Sequence, residues 1–249
     1  MTTNQPTDLM RKLTLLLFPV LFFGCTAQQV NDTLNTVLGG TGGLSSEQIG
    51  NGLKEALRIG AQAGANELSS PGGYFDDLAY RILLPEEVRK VTDRLQGVPG
   101  FANLEEIIIK KINQGAEDAA QKAGPIFVGA IKQMTIQDAL GILKGDRNAA
   151  TQYLQRTTTQ NLYNEFNPVI SNSLDKFDAQ KIWEDAARVY NNFPLTRQPV
   201  NTNLADHVTQ KALEGLFTKV ALKEEDIRQN IGSRTTELLR RVFALQDGE

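Results

Sequence analysis

The sequence predicts an all-α fold: a single globular domain of about eight to ten helices. Three observations lead there. In segment after segment, apolar residues recur at three- and four-residue steps, the spacing that lines one face of a helix. Nowhere do four or more alternating β-branched residues stand between turn signals, so no strand is required. The connections are short, as in helical bundles.

The first helix starts at Ser45, whose spacing to Gln48 is that of a capping box. Ile49, Leu53, Ala56, Leu57, Gly60, Ala61 and Gly64 make its stripe, and the small residues suit close packing against a neighbour. Ser69-Ser70-Pro71-Gly72-Gly73 breaks it, and residues 74–85 form an irregular connection. A helix follows from Glu86, with Val88, Val91 and Leu95 inward, and ends near Gly97-Val98-Pro99-Gly100. The next has the clearest pattern. Leu104, Ile107, Ile108, Ile112, Ala116, Ala119, Ala120 and Ala123 form one face, with Glu105, Glu106, Lys110, Lys111, Glu117 and Asp118 largely off it.

Gly124-Pro125 closes that helix, and residues 126–134 form a short one. Thr135 and Asp138 start another, through Leu140 and Leu143 to Gly145. Asp146 caps the following helix, which holds Ala149, Ala150, Tyr153 and Leu154. Thr158 opens a separate one with Leu162, Phe166 and, beyond Pro168, Val169 and Ile170. Residues 178–192 form a helix around Ile182, Trp183, Ala186 and Tyr190, and residues 194–203 are linker-like. Asn203 or Asp206 then begins a long helix with Val208, Ala212, Leu213, Leu216, Phe217, Val220 and Ala221 inward. The last runs from Ser233 to about Leu245 around Leu238, Leu239, Val242 and Phe243. Arg156-Thr157-Thr158 and Arg234-Thr235-Thr236 echo each other, but three residues make no repeat.

Ahead of this domain, Arg11 and Lys12 precede eleven residues, 13–23, that are apolar except Thr14 and are interrupted by Pro19. Gly24 and Cys25 follow. A basic start, a short apolar run and a small residue are the parts of a secretory signal. The run is too short to span a bilayer, which takes about 20 residues. It resembles the lipobox of bacterial lipoproteins, in which the cysteine becomes the lipid-modified first residue of the mature chain. Gly24 matches the small residue before the cysteine; Phe22 and Phe23 are bulkier than the usual pattern. The resemblance implies a thioether-linked diacylglycerol on Cys25, an anchor of more than one acyl chain. Thr26 is not the aspartate of inner-membrane retention, so outer-membrane placement facing the periplasm is expected. The expected organisation is 1–24 cleaved signal peptide, 25–44 lipid-anchored flexible tether and 45–249 helical domain. A flexible tether of that length spans about 25 Å root-mean-square.

The chain carries a formal charge of −3, without the basic footprint of a nucleic-acid binder. Its lone cysteine leaves no disulfide and no thiolate zinc site. Its single histidine, His207, comes with no H-E-x-x-H motif and no nucleophile elbow. Gly39-Gly40-Thr41-Gly42-Gly43 lacks the Lys-Ser/Thr of a phosphate loop and suits a spacer. No catalytic residue, metal site or cofactor is expected.

Several segments together resemble a known family. They are Arg81-Ile82-Leu83-Leu84-Pro85, Ala130-Ile131-Lys132-Gln133-Met134-Thr135-Ile136 and Ala150-Thr151-Gln152-Tyr153-Leu154-Gln155-Arg156-Thr157-Thr158. To these add Val208-Thr209-Gln210-Lys211-Ala212-Leu213-Glu214-Gly215-Leu216-Phe217, Ile227-Arg228-Gln229-Asn230 and Arg234-Thr235-Thr236-Glu237-Leu238-Leu239. The chain resembles the bacterial family catalogued as domain of unknown function 4197, over about Gln48 to Phe243. Residues 176–201 match least. The resemblance implies a helical envelope domain and no established activity, so it supplies no catalytic residues.

Lys132, Gln133, Arg156, Gln210, Lys211, Arg228 and Arg234 are the candidate lining of a polar cleft for an anionic ligand, beside helix N-termini expected at Thr158 and Ser233. The structural alternative makes Thr135, Thr158 and Ser233 helix caps and pairs the arginines with carboxylates. His207 beside Asp206 reads as a solvated first-turn residue, Trp183, Tyr190 and Phe193 as core, and Glu224-Glu225-Asp226 as a solvated charge run. The expected function is a membrane-anchored envelope lipoprotein that binds an envelope protein or small anionic ligand. The alternatives are a hydrolase or transferase acting on envelope material, or a lipid carrier.

Overall fold

The computed structural model describes residues 44–85, 103–176, 178–192 and 203–247, with 89, 92, 93 and 199 beside them. They form one all-α domain, with no strand among the described residues. The helices are α1 (Ser46–Ser69), α2 (Leu104–Ala120), α3 (Ala123–Gln133), α4 (Ile136–Leu143), α5 (Ala149–Asp175), α6 (Ala179–Asn191), α7 (Leu204–Gln229) and α8 (Glu237–Phe243), with single 3-10 turns at Ile231–Ser233 and Ala244–Gln246. The signal segment, Cys25 and the tether as far as residue 43 lie outside the described residues. So do the interior of the helix expected from Glu86, most of the 194–203 linker, and the side chains of Trp183, Tyr190 and Phe193.

Ser45 caps α1 reciprocally with Gln48: Oγ accepts the Gln48 N–H at 3.1 Å, and Gln48 Oε1 accepts the Ser45 N–H at 2.9 Å. The whole expected stripe of α1 is buried. Its small residues face α7 across a close, antiparallel crossing. A Cβ on Gly60 would stand 3.3 Å from Ile227 Cδ1, and one on Gly64 would stand 3.5 Å from the Val220 backbone nitrogen. Four helix pairings close into a ring, with α1 on α7, α7 on α5, α5 on α2 and α2 on α1. Helices α3 and α4 bridge α1 and α5, and α8 covers the start of α1.

Between residues 146 and 175 the structure corrects the sequence reading. A single 27-residue α5 replaces the two expected helices. Leu154, Thr158, Leu162, Phe166, Ile170 and Leu174 are buried at four-residue steps along one face. Thr158 is no cap: it is interior, and its Oγ1 donates to the Leu154 carbonyl four residues back. Pro168 is exposed, on the solvent side where water can serve the carbonyl it leaves without an amide. Asp146 does not cap α5 either. The N-cap residue is Asn148, without a side-chain bond, and the first-turn amides are served by Glu224 from α7.

Three further expectations shift. Gly124-Pro125 falls in the first turn of α3, where an amide has no helical partner to lose. Ser233 lies in a 3-10 turn, and α8 is capped by Thr236, whose Oγ1 accepts the Leu239 N–H at 3.2 Å. Ile107, expected inward, is 54% exposed, whereas Glu117, expected off the apolar face, is buried.

The connection over residues 74–85 is irregular, as expected, but tightly held. The Glu117 carboxylate accepts the N–H groups of Tyr74 and Phe75 at 3.2 and 3.1 Å. The Asn113 amide accepts the Ile82 N–H and donates to the Ile82 carbonyl, both at 2.8 Å, as a neighbouring strand would. Tyr74, wholly buried, donates its hydroxyl to the Ala212 carbonyl at 2.8 Å. Burial, helped by the Glu117 charge, pushes its phenol far above the ordinary range. Gly73 makes the turn into this segment possible: a Cβ there would stand 2.4 Å from the Glu67 carbonyl oxygen.

Candidate functional site

Because Asn113 and Glu117 fix the connection from the α2 side, its other side is free to face α7. A groove of about 390 Å³ opens between them. That volume falls within the range of small-molecule sites. Tyr80, Arg81, Leu83 and Pro85 form one wall; His207, Lys211, Glu214 and Thr218 form the other. The second wall follows from helix periodicity. Residues 207, 211, 214 and 218 recur at steps of four and three, so they share one face of α7 beside the buried stripe of Val208, Ala212 and Leu216. Gly215, also in the lining, lets α7 pass close to the connection, since a Cβ there would stand 3.1 Å from Tyr74 Cε1.

The charged groups of the groove are held differently. Arg81 donates its Nε–H to the Phe75 carbonyl at 2.5 Å, and its guanidinium carbon lies 4.6 Å from the Phe75 ring centroid. Lys211 pairs with Glu214 at 2.8 Å, but both side chains are more than half exposed, so solvent screens the pair. His207, half-buried rather than solvated, places Nε2 3.3 Å from the Leu83 carbonyl oxygen, which the protonated nitrogen donates to. Its pKa is lowered from the ordinary 6.5, chiefly by desolvation and further by Lys211, against the Leu83 hydrogen bond and the Asp206 charge.

That shift has a measurable consequence. The folded ring takes up a proton less readily than the unfolded ring, so between the two pKa values the unfolded chain holds more protons. Stability from this source is complete above about pH 7.5 and is lost as pH falls below 6.5 toward the folded value. Urea titrations from pH 7.5 to 5 should show His207→Gln losing less stability over that interval than the parent chain. Parallel curves for the two proteins would contradict this.

The seven residues expected to form one polar cleft are dispersed. Lys132 and Gln133 are exposed at the end of α3, and Arg156 is exposed on α5, 5.8 Å from the Tyr153 ring centroid. Gln210 donates to Asp206, and Lys211 reaches Glu214. Arg228 stands 18 residues beyond Gln210 on the same helix, about 27 Å away at 1.5 Å per residue. Only Lys211 lines the groove. The helix N-termini expected at Thr158 and Ser233 do not exist.

Arg228 and Arg234 are brought together at the far end of α7, but in a closed polar core. Glu224, expected in a solvated run, is only 7% exposed. It accepts the Ala150 and Thr151 N–H groups at 3.0 and 2.8 Å, the Thr151 hydroxyl at 2.8 Å and the Arg228 guanidinium at 2.8 Å. Arg228 also donates to the Ile142 and Leu143 carbonyls. Arg234, 1% exposed, donates to the Ile227 and Arg228 carbonyls and to both oxygens of Asp247 at 2.7 Å. The pocket beside this cluster measures about 20 Å³, room for roughly one water. Among the described residues every buried side-chain nitrogen and oxygen has a partner. This cluster holds helices together.

Among the described residues no three of His, Cys, Asp and Glu gather as metal ligands would, and no single helix is long and apolar enough to cross a membrane. Sequence reasoning missed Arg81 as a site residue. Its segment stood out only by resemblance, and nothing local indicates that an arginine in an irregular connection will face a long helix across a groove. Comparison with known proteins gives one match: a family described as protein of unknown function (DUF4197), over residues 43–244. No curated protein and no solved structure matches.

Proposed function

The chain belongs to the DUF4197 family of unknown function, and from that premise we propose that it is a lipid-anchored envelope lipoprotein whose helical domain is a binding module, with the groove along α7 as its site. One observation carries the reading: the groove and the point where the tether joins lie at opposite ends of the domain. α1 and α7 are antiparallel, with Gly60 level with Ile227. From Lys211 along α7 to that level, and on along α1 to Ser45, is roughly 45 Å at 1.5 Å per residue. An anchor at Cys25 would therefore attach through the end of the domain remote from the groove, leaving the groove open to the aqueous compartment. A module meant to meet a soluble or wall-borne ligand is built in that way. The lipid-carrier alternative draws no such support, because the apolar pocket between α1, α5 and α7 has space for roughly one water.

Labelling with radioactive palmitate tests the anchor. The parent chain should take up label and sediment with membranes, and Cys25→Ala should do neither. Equal labelling of the variant would sink the reading.

A further inference from the structure

Resting on that reading of the groove, the geometry points to a small organic anion as its ligand: a carboxylate or phosphate head on a short apolar body. Arg81 supplies the recognition geometry. Its Nε bond to Phe75 and its stacking on the Phe75 ring fix the guanidinium plane, while Nη1 and Nη2 meet no acceptor among the described residues. A guanidinium held along one edge offers the remaining N–H groups as a pre-set fork, which matches two oxygens of one carboxylate or phosphate.

Lys211 is the second cation of the groove. Its partner Glu214 holds it only through an exposed, solvent-screened pair, so the ammonium turns to a bound anion at small cost. Glu214 also sets a limit. A carboxylate in the same wall repels extensive negative charge, which favours one anionic head over a polyanion. His207 adds a donor beside Leu83. Leu83, 44% exposed despite its size, and Pro85 give an apolar surface next to the charged groups. That surface is short, because His207, Glu214 and Thr218 interrupt the opposite wall. It suits a body of a few carbons and not a long acyl chain.

The full chain carries one histidine, so the His207 ring signals in a proton NMR spectrum report on the groove alone. Titration with hexanoate and with hexyl phosphate should shift those signals saturably, and hexan-1-ol should bind at least tenfold more weakly. Stronger binding of hexanoate identifies a carboxylate ligand, and stronger binding of hexyl phosphate a phosphate; either supports the proposal. Lys211→Gln, at an exposed position, and Arg81→Lys, which keeps the charge but not the fork, should each weaken binding of the preferred anion at least tenfold while melting as the parent does. Parent-like affinity in both variants would overturn the proposal, and so would the absence of any His207 shift with both anions. Hexan-1-ol binding as tightly as the anions would overturn the anion assignment while leaving a working groove. Loss of the Cys25 anchor would be seen only in the palmitate experiment, so the two failures are distinct.

Discussion

Replacing Glu224 with alanine should destabilise the domain by about 3–5 kcal/mol, the cost of removing one partner of a buried ion pair. The carboxylate serves four donor groups at once. It caps the first turn of α5 from another helix, accepting amides that have no helical partner. It satisfies the Thr151 hydroxyl, and it neutralises Arg228, whose side chain is 9% exposed. Alanine leaves the Arg228 charge without its counter-charge, although its carbonyl partners remain, and two amide donors without an acceptor in a region with space for roughly one water. Glu225→Ala is the internal comparison. Its carboxylate is 40% exposed and 3.6 Å from Arg147, so its loss should cost less than about 0.5 kcal/mol. Urea midpoints of the two variants decide the matter, and similar midpoints would refute the structural role given to Glu224.

The second large effect is expected at Arg234. Among the fully buried side chains it is one of the largest, and its guanidinium closes the end of α7 by binding the Ile227 and Arg228 carbonyls. Arg234→Ala should cost about 3–5 kcal/mol, combining a cavity with two carbonyls left unpaired in the interior. Asp247→Ala should cost less, about 1.5–3 kcal/mol, because the arginine keeps its carbonyl partners and the vacated side is 37% exposed. The Arg234 hydrogen bonds hold the Asp247 carboxyl below its usual range. Its contribution is present above the unfolded value near 3.8 and disappears as pH falls through the lower folded value. A thermal melt in which Asp247→Ala loses more than Arg234→Ala would reverse this ordering.

The elements of the fold were legible wherever burial follows a regular period and a cap sits at its start. The capping boxes at Ser45 and Thr135 and the Asn203 start of α7 are local chemistry, and they stand where the spacing places them. The errors share a cause. Thr158, Glu117 and Glu224 are polar residues at buried stripe positions, and their polarity outweighed their spacing. Leu154, Thr158, Leu162 and Phe166 step by four without interruption; Leu213, Phe217, Val220, Glu224 and Ile227 step by four and three. Position pointed inward in each case; Thr158 finds its partner four residues back, but for Glu117 and Glu224 the partner that makes burial tolerable is distant in sequence, 43 residues away at Tyr74 and 73 at Thr151.

The groove was less legible. Lys211 belonged to the expected cleft, but Arg81, Leu83 and His207 join it only because Asn113 and Glu117 bind an extended segment 31 to 43 residues earlier. No local signal encodes that juxtaposition. The other six cleft candidates are dispersed for plainer reasons: Lys132 and Gln133 end α3, Arg156 lies on α5, Arg234 follows α7, and one long helix carries Gln210 and Arg228 to different ends of the domain.

The intact mass of the chain recovered from the membrane fraction tests the proposed function most directly. The expected mature protein begins at Cys25 and is heavier than its sequence by a diacylglycerol and, where the amine is acylated, one further acyl chain. A membrane-free chain beginning at Met1 or Met10, with an unmodified Cys25, would contradict it.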